Sequence, residues 1–513
     1  MKKILLAATI LTAYNGLHAQ TKEDALRYSF LQNSGTARSQ GIANANGAIG
    51  GEISTIFSNP ANIGFYKTGD FVISGGLNLL SNDAAYLGAS NKENKTSGFL
   101  GTTGFVLGKP NYNDGSSLKS SAFGIAVNRV ADFNNRVVYN NKGGQLSRTS
   151  MADYFIEDII ASNSLYAYGS ELAVNSGWVQ ETVNGDTVNL SSSAVDLAIA
   201  SGLEQQETII TNGGITELAF AGAANFNDRV FLGGTIGLPI LRYGASRRYV
   251  EQDPDASDNT NGFDAAWYDD DLVTKGVGIN LKVGIVFKAT DNLRLGFAAH
   301  SPTFYSLTDS YSAAAGSNLD AGANGDYTAY SDVSTYDYNL QTPYKLMGSF
   351  SLLFGNVNDI STQKGFLSGD VEYVNYMAST FRTIENSDND NNANNEYFGY
   401  VNNDIDDAYK GAVNARLGAE LKFNPISVRL GGAYYGNPYK SGDNGSVTQA
   451  TGGLGYRNKG FFIDLGYVHS FSKEYTIYPY QVTPTADDPT YVSNPAKIKP
   501  SASRVVFTLG FKI

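Results

Sequence analysis

Strict alternation of apolar and polar residues limits what this chain can fold into. Val277, Ile279, Leu281, Val283, Ile285 and Phe287 are interleaved with Gly278, Asn280, Lys282, Gly284, Val286 and Lys288. The stretch from Ala412 repeats the pattern, with Val413, Ala415, Leu417, Ala419, Leu421 and Phe423 against Asn414, Arg416, Gly418, Glu420 and Lys422. The last residues do so again, setting Val505, Phe507, Leu509, Phe511 and Ile513 against Arg504, Thr508, Gly510 and Lys512. A period of two marks strands with one apolar and one polar face. A soluble sandwich and a membrane barrel both need such strands, so alternation alone leaves both open.

The connections separate the two folds. The pattern predicts fourteen strands, near 70–80, 96–107, 118–130, 214–226, 229–242, 275–289, 292–308, 337–354, 363–378, 412–423, 426–436, 446–457, 460–473 and 502–513. Each is long enough for the roughly 9–11 residues with which a tilted strand crosses a bilayer. Turn dipeptides at Asn227-Asp228, Thr290-Asp291, Asn424-Pro425 and Asn458-Lys459 join hairpins. Between them run long polar connections over 131–213, 243–274, 309–336, 379–411 and 474–501. Short turns on one rim and long loops on the other are the habit of outer-membrane barrels, and a sandwich has no reason to sort its loops. The expected fold is therefore all-β: a 14-stranded antiparallel transmembrane β-barrel over residues 67–513. Apolar residues at helical spacing over 151–172, among them Met151, Phe155 and Ile159, predict a short amphipathic helix in the longest loop.

The N-terminus agrees with export. Lys2 and Lys3 precede the mostly apolar run Ile4 to Ala13, and Leu17-His18-Ala19 ends in a small residue. That is the layout of a signal peptide over 1–19, cleaved after Ala19; the run is too short to span a bilayer as a helix. The 513 residues include 56 Gly, 33 Tyr and 27 Phe, with no Cys and a net charge of −12. Lacking cysteine, the chain has no disulfide, thiolate metal site or cysteine nucleophile. Its acidity argues against nucleic acid, whose phosphates need a basic surface. Asp388-x-Asp390-x-Asn392 and Asp253-x-Asp255-x-Ser257 start like calcium loops. The first has Ala393 where glycine is wanted and Gly399 where a bidentate glutamate should stand, and the second is also incomplete. Both read as solvated surface loops, and no cofactor or metal is expected. Beyond the leader only His300 and His469 remain, on separate predicted strands, and no serine has a catalytic motif around it. The chain reads as a non-enzyme.

Residues 20–66 do not alternate. Small residues run to Ala48-Ile49-Gly50-Gly51, and the segment closes on Ser54-Thr55-Ile56-Phe57-Ser58-Asn59-Pro60-Ala61-Asn62-Ile63-Gly64-Phe65. Pro60 fixes one dihedral of a tight turn. Fourteen strands enclose a lumen too wide for side chains alone to fill, so this segment is expected to plug it. Asn59, Pro60 and Ala61 would form the holding turn, with Phe57 and Phe65 beside it. A disulfide lock from Asn59 to an inward position such as Ser368 would then be possible.

The stretch Ser34 to Phe65 with its Ser-Asn-Pro-Ala-Asn core resembles the N-terminal hatch of the FadL-type long-chain fatty acid transporter family. Thr342-Pro343-Tyr344-Lys345 and Gly369-Asp370-Val371-Glu372-Tyr373-Val374-Asn375-Tyr376 are similar to strands of that family. The resemblance implies an outer-membrane barrel with a lumen-blocking hatch, passive uptake of hydrophobic molecules, and lateral release through a strand kink. Expected partners are hydrophobic small molecules, outer-membrane lipids and the barrel-assembly machinery. The chain departs from the family in its longer 131–213 loop and in ending on Ile513 rather than an aromatic. A ligand carboxylate would need a cation, and alternation turns Lys282, Arg294, Arg416 and Arg429 inward. Asp370, Glu372 and Glu420 also face in, so internal ion pairing competes, most of all for Arg416; Lys282 is the best ligand candidate. The alternative is a surface-binding or structural barrel whose loops hold a partner while the lumen stays closed.

Overall fold

A computed structural model describes residues 20–113, 115–184, 187–255, 261–319, 326–355, 363–385, 391–442, 444–483 and 491–512. The leader over 1–19, Ser257, Asp388, Asp390 and Ile513 lie outside the described residues.

Fourteen antiparallel staves form the wall. They are β1 (Gly69–Tyr86), β2 (Ala89–Leu100 and Thr103–Pro110), β3 (Leu118–Asp132 and Asn135–Asn140), β4 (Glu204–Phe226), β5 (Val230–Gln252) and β6 (Ala265–Lys288). Next come β7 (Leu293–His300 and Phe304–Asn318), β8 (Asp326–Tyr330, Ser334–Gln341 and Lys345–Gly355) and β9 (Gln363–Asn375 and Thr380–Thr383). The last five are β10 (Gly411–Phe423), β11 (Ile426–Tyr435), β12 (Val447–Asn458), β13 (Phe461–Ser472 and Tyr475–Ile477) and β14 (Ala496–Lys512). Each stave pairs with the next, and β14 closes on β1 from Asp70 opposite Lys512 to Ala85 opposite Lys497.

The two faces have the polarity of a membrane barrel. Leu281, Val413 and Phe507 are 50%, 52% and 49% exposed, while their inward neighbours Lys282, Asn414 and Thr508 are 5%, 3% and 0% exposed. A soluble protein would bury the first set and expose the second; a wall facing lipid does the reverse.

Tight turns fall where the sequence puts them, with one shift. Asn227 and Asp228 both have φ of 54°, the left-handed pair of a type I′ hairpin. The turn expected at Asn458-Lys459 lies one residue later, at Lys459 (φ 45°) and Gly460 (φ 86°), because glycine takes a left-handed position without strain.

The outer rim differs more. Staves β4, β5 and β6 run for 23, 23 and 24 residues, about twice what a crossing needs. Much of 243–274 and 309–336 is therefore strand, not loop, and β1 joins β2 through the tight turn Leu87-Gly88. Where these strands rise above the lipid band, ion pairs such as Lys92–Asp83 (3.4 Å) and Arg248–Asp269 (2.8 Å) bridge neighbouring staves. Apolar residues at helical spacing in 151–172 form α3 (Met151–Ser162), and α4 (Ser170–Asn175) and α5 (Ser193–Ala200) follow; all three lie in the connection after β3. They cap the outer end over a core that includes Trp178, Phe155, Tyr168 and Tyr249. Buried Glu251 ties this cap to β5, accepting from Met151 N (3.1 Å), Trp178 Nε1 (3.0 Å), Tyr249 OH (3.0 Å) and Ser150 Oγ. A further helix, α6 (Asn392–Ala408), fills the connection after β9 and turns Phe398, Val401 and Ile405 inward.

Candidate functional site

Residues 20–66 run inside the lumen from its outer half to the short-turn rim. The helix α1 (Lys22–Ser29) lies beneath α6: Tyr397 OH donates to Gln20 O at 2.7 Å, and Tyr409 OH to Lys22 O at 3.1 Å. The chain then descends through α2 (Ala37–Gly41) to two 3₁₀ turns, Ile53–Phe57 and Pro60–Phe65. Asn59 caps the second by accepting from Ala61 N, and Pro60 takes the first helical position, where its missing N–H costs nothing.

Asn59, Pro60 and Ala61 fit into recesses left by wall glycines. A Cβ on Gly284 would sit 1.9 Å from Asn59 Oδ1, and one on Gly233 2.5 Å from the Pro60 carbonyl carbon. Asn59 Nδ2 donates to Gly47 O (2.8 Å) and to Ile285 O of the wall (3.3 Å), while Thr235 Oγ1 donates to Ile56 O (3.0 Å). Phe57 is buried with Ile53, Ile56 and Ile63 against Val106 and Ala219 of the wall. Phe65 stacks on Phe231 with centroids 3.7 Å apart, and the Arg294 guanidinium covers its ring at 4.5 Å. Asn59 thus adjoins β6, whereas Ser368 on β9 donates to Phe350 O, so Asn59 and Ser368 are not brought together.

A buried charge network holds the other flank. Arg38 reaches Glu420 through Nε (3.0 Å) and Nη2 (3.2 Å). Arg429 donates to Glu420 (2.6 Å) and to Asp464 (2.6 Å). Burial opposes the charge on Arg38, but Glu420 and Glu52 outweigh it and push its pKa above the ordinary guanidinium range. Asp370 accepts from the backbone N–H of Asn46 (3.1 Å) and Gly47 (3.2 Å). Removing one member of such a buried pair leaves the other uncompensated, at about 3–5 kcal/mol.

Above the plug, residues 27–33 divide the lumen. On the β6–β10 side lies a narrow chamber of about 60 Å³ whose charged lining is Lys282, Lys345, Arg416, Glu217 and Glu372, with His300 beside them. Lys282 is paired with Glu217 and donates to Asn280 Oδ1 at 2.7 Å; Arg416 is paired with Glu372 at 2.7 Å. Among the described residues Lys345 has no carboxylate within ion-pair distance. Of the four cations the sequence turns inward, Lys282 and Arg416 reach this chamber. Arg429 lies in the plug anchor, and Arg294 is at the plug's lower edge, donating to Ile49 O. Lys345 was legible by alternation, since Tyr344 and Leu346 on either side face outward at 37% and 50% exposure. His300 donates to Ser58 O at 2.6 Å, and His469 lies beside Ser503 at 2.9 Å.

On the other side is a cavity of about 590 Å³, within the roughly 300–1,000 Å³ of small-molecule sites. Phe30, Val137, Ile209, Val447 and Val468 contribute its apolar lining. Arg27, Asp132 and Arg504 bring charge to it, and Arg504 donates to Asn78 Oδ1 at 2.7 Å and covers Phe99 at 5.0 Å. Gln32 lines both spaces.

The wall is interrupted beside the narrow chamber. The β7–β8 register pairs His300 with Lys345 and Phe304 with Gln341, which sets Pro302 opposite Pro343. Neither proline has an N–H for the ladder. Thr342 N bonds Thr303 O, and Thr303 N bonds Thr342 Oγ1, both at 3.0 Å, which ends the gap on its outer side.

No family model matches this chain, and no curated protein matches it. Among solved structures it is similar to a FadL homologue of Pseudomonas aeruginosa, at 14% identity and a TM-score of 0.54, covering 94% of this chain and 99% of that one. It is also similar to a deletion mutant of the TodX monoaromatic hydrocarbon channel, at 12% identity and a TM-score of 0.50, covering 94% and 99%. At these identities the likeness concerns architecture alone, and the conclusion it supports is that this chain has the FadL-type fold: a closed fourteen-stranded transmembrane β-barrel.

Proposed function

We propose that this protein is an outer-membrane channel for passive uptake of hydrophobic molecules, with long-chain fatty acids the leading substrate class, and that residues 20–66 gate it. The observation that carries this reading is the 590 Å³ cavity, its lining part apolar and part polar, inside a lumen that residues 20–66 occupy below it. A general porin needs an open aqueous path, whereas here the space above the plug suits an apolar body with one polar end. Each CH₂ taken from water contributes about 0.8 kcal/mol, enough to draw a long chain into such a cavity. Lys345 and Arg504 are the cations best suited to a carboxylate head, because Lys282, Arg416 and Arg429 are already committed to carboxylates. Release is proposed to run laterally, through the Pro302–Pro343 gap that adjoins the chamber.

Exposed apolar side chains on the outer rim, Ile160 (70%) and Tyr330 (76%), favour a second reading in which the loops hold a partner and the lumen stays shut. Uptake of a labelled long-chain fatty acid by cells with and without the protein separates the two. The channel reading requires faster uptake with the protein and no gain for a polar solute of similar mass. Equal fatty acid uptake in both strains would favour the second.

A further inference from the structure

Asp309 on β7 is 4% exposed. It accepts from Tyr338 OH at 3.2 Å and from the Gln20 side-chain amide at 2.5 Å, and among the described residues it has no cation within ion-pair distance. A buried carboxylate without a counter-charge is costly. Its surroundings make the deficit worse. Asp309 lines a cavity of about 360 Å³ together with Asp24, Asp270, Arg27 and Arg247. The two guanidiniums are already used: Arg27 pairs with Asp24, and Arg247 with Asp270 (3.4 Å) and Glu207 (3.3 Å). Among the described residues an ionised Asp309 therefore has no counter-charge in this cavity.

One of the two donors to Asp309 is Gln20, which is itself fully buried. The leader layout predicts cleavage between Ala19 and Gln20. Hydrolysis of that bond consumes one water, leaves a carboxylate on Ala19 and frees an α-ammonium on Gln20. We propose that this ammonium is the missing counter-charge: it binds Asp309 and seats α1 in the lumen, so the plug docks fully only after the leader is removed. Before cleavage the same nitrogen is a neutral amide and brings no charge to Asp309. The idea rests on the leader and on Asp309, and is independent of what the channel carries.

The test uses the purified full-length protein in detergent. Its intact mass should correspond to residues 20–513 with a free amine; a mass lower by one ammonia, the mark of a cyclised glutamine, or a different first residue would overturn the proposal. Trypsin then reports the seating of α1 through cuts after Lys22 and Arg27. Asp309→Asn, and separately a Gly-Ser insertion between Ala19 and Gln20, should each speed those cuts roughly tenfold or more, as expected for a broken buried pair. Combining the two should add nothing further, because both remove one interaction. Gln20→Ala keeps the ammonium and loses only the side-chain amide, so it should have a much smaller effect. Additive effects, or Gln20→Ala as damaging as Asp309→Asn, would show that the amide and not the ammonium is the partner.

Discussion

The plug is positioned by single atoms, and glycine is where that is most exposed to mutation. Gly284 has no room for a Cβ because Asn59 Oδ1 occupies the space. Gly284→Val should therefore displace the Asn59–Ala61 turn while β6 keeps its ladder. The expected result is a higher ion conductance in planar bilayers at unchanged barrel heat-stability. Gly222→Ala is the control, because a Cβ there meets nothing within 4 Å. Lys345 makes the complementary case for the ligand. Replacing it with Met should weaken binding of a long-chain carboxylate about tenfold or more, the scale of a lost hydrogen bond to a charged group, and leave the methyl ester unaffected. Equal loss for acid and ester would remove Lys345 from head-group recognition. Lys345 is absent from the cations singled out from sequence, although the same alternation applies to it, and alternation does not tell a paired cation such as Lys282 from one with no carboxylate partner among the described residues. That distinction depends on Glu217, which is 65 residues from Lys282 in sequence and two staves away in space.

At the level of elements, what was legible followed local rules. Asn227-Asp228 has the backbone preference of its turn, and α3 has the apolar spacing of its helix, so both could be read without the fold. The height of the strands could not. The upper halves of β4 to β6 are polar on their outward face, as Arg248 and Asp269 show, so in sequence they look like loops. Cross-strand pairing over 23 or 24 residues keeps them extended in water. The helix α6 was hidden for another reason: its Asn- and Asp-rich sequence is poor in helix formers, and burial of Phe398, Val401 and Ile405 offsets that. The β7–β8 gap belongs to this scale too. If it is the exit, Pro302→Thr with Pro343→Thr should supply the missing N–H groups, close the ladder and slow hydrophobic uptake several-fold, roughly the effect of about 1 kcal/mol on a rate. Ligand binding to detergent-solubilised protein should stay as it was. Unchanged uptake with the substitutions in place would rule this gap out as the exit.

For the molecule as a whole, the proposed uptake requires hydrophobic solutes to pass a plug that moves. A ligand can drive that movement only if it binds the displaced arrangement better than the closed one. The barrel follows from alternation, and the one non-alternating segment ahead of it is the stretch that makes contact with the wall from inside. Whether the plug moves does not follow from the sequence, because the same buried contacts would hold a permanent stopper. A cysteine pair at Asn59 and Gly284 settles it in a chain with no native cysteine. Asn59 Cγ lies 2.9 Å from a Cβ built on Gly284, which brings the two Cβ atoms within about 4.4 Å, inside the bridging range. The measurement is uptake of labelled long-chain fatty acid by cells carrying this variant, before and after reduction. With the bridge formed, uptake should fall to the level of cells lacking the protein and return on adding reductant; undiminished uptake with the bridge demonstrably closed would contradict a moving plug.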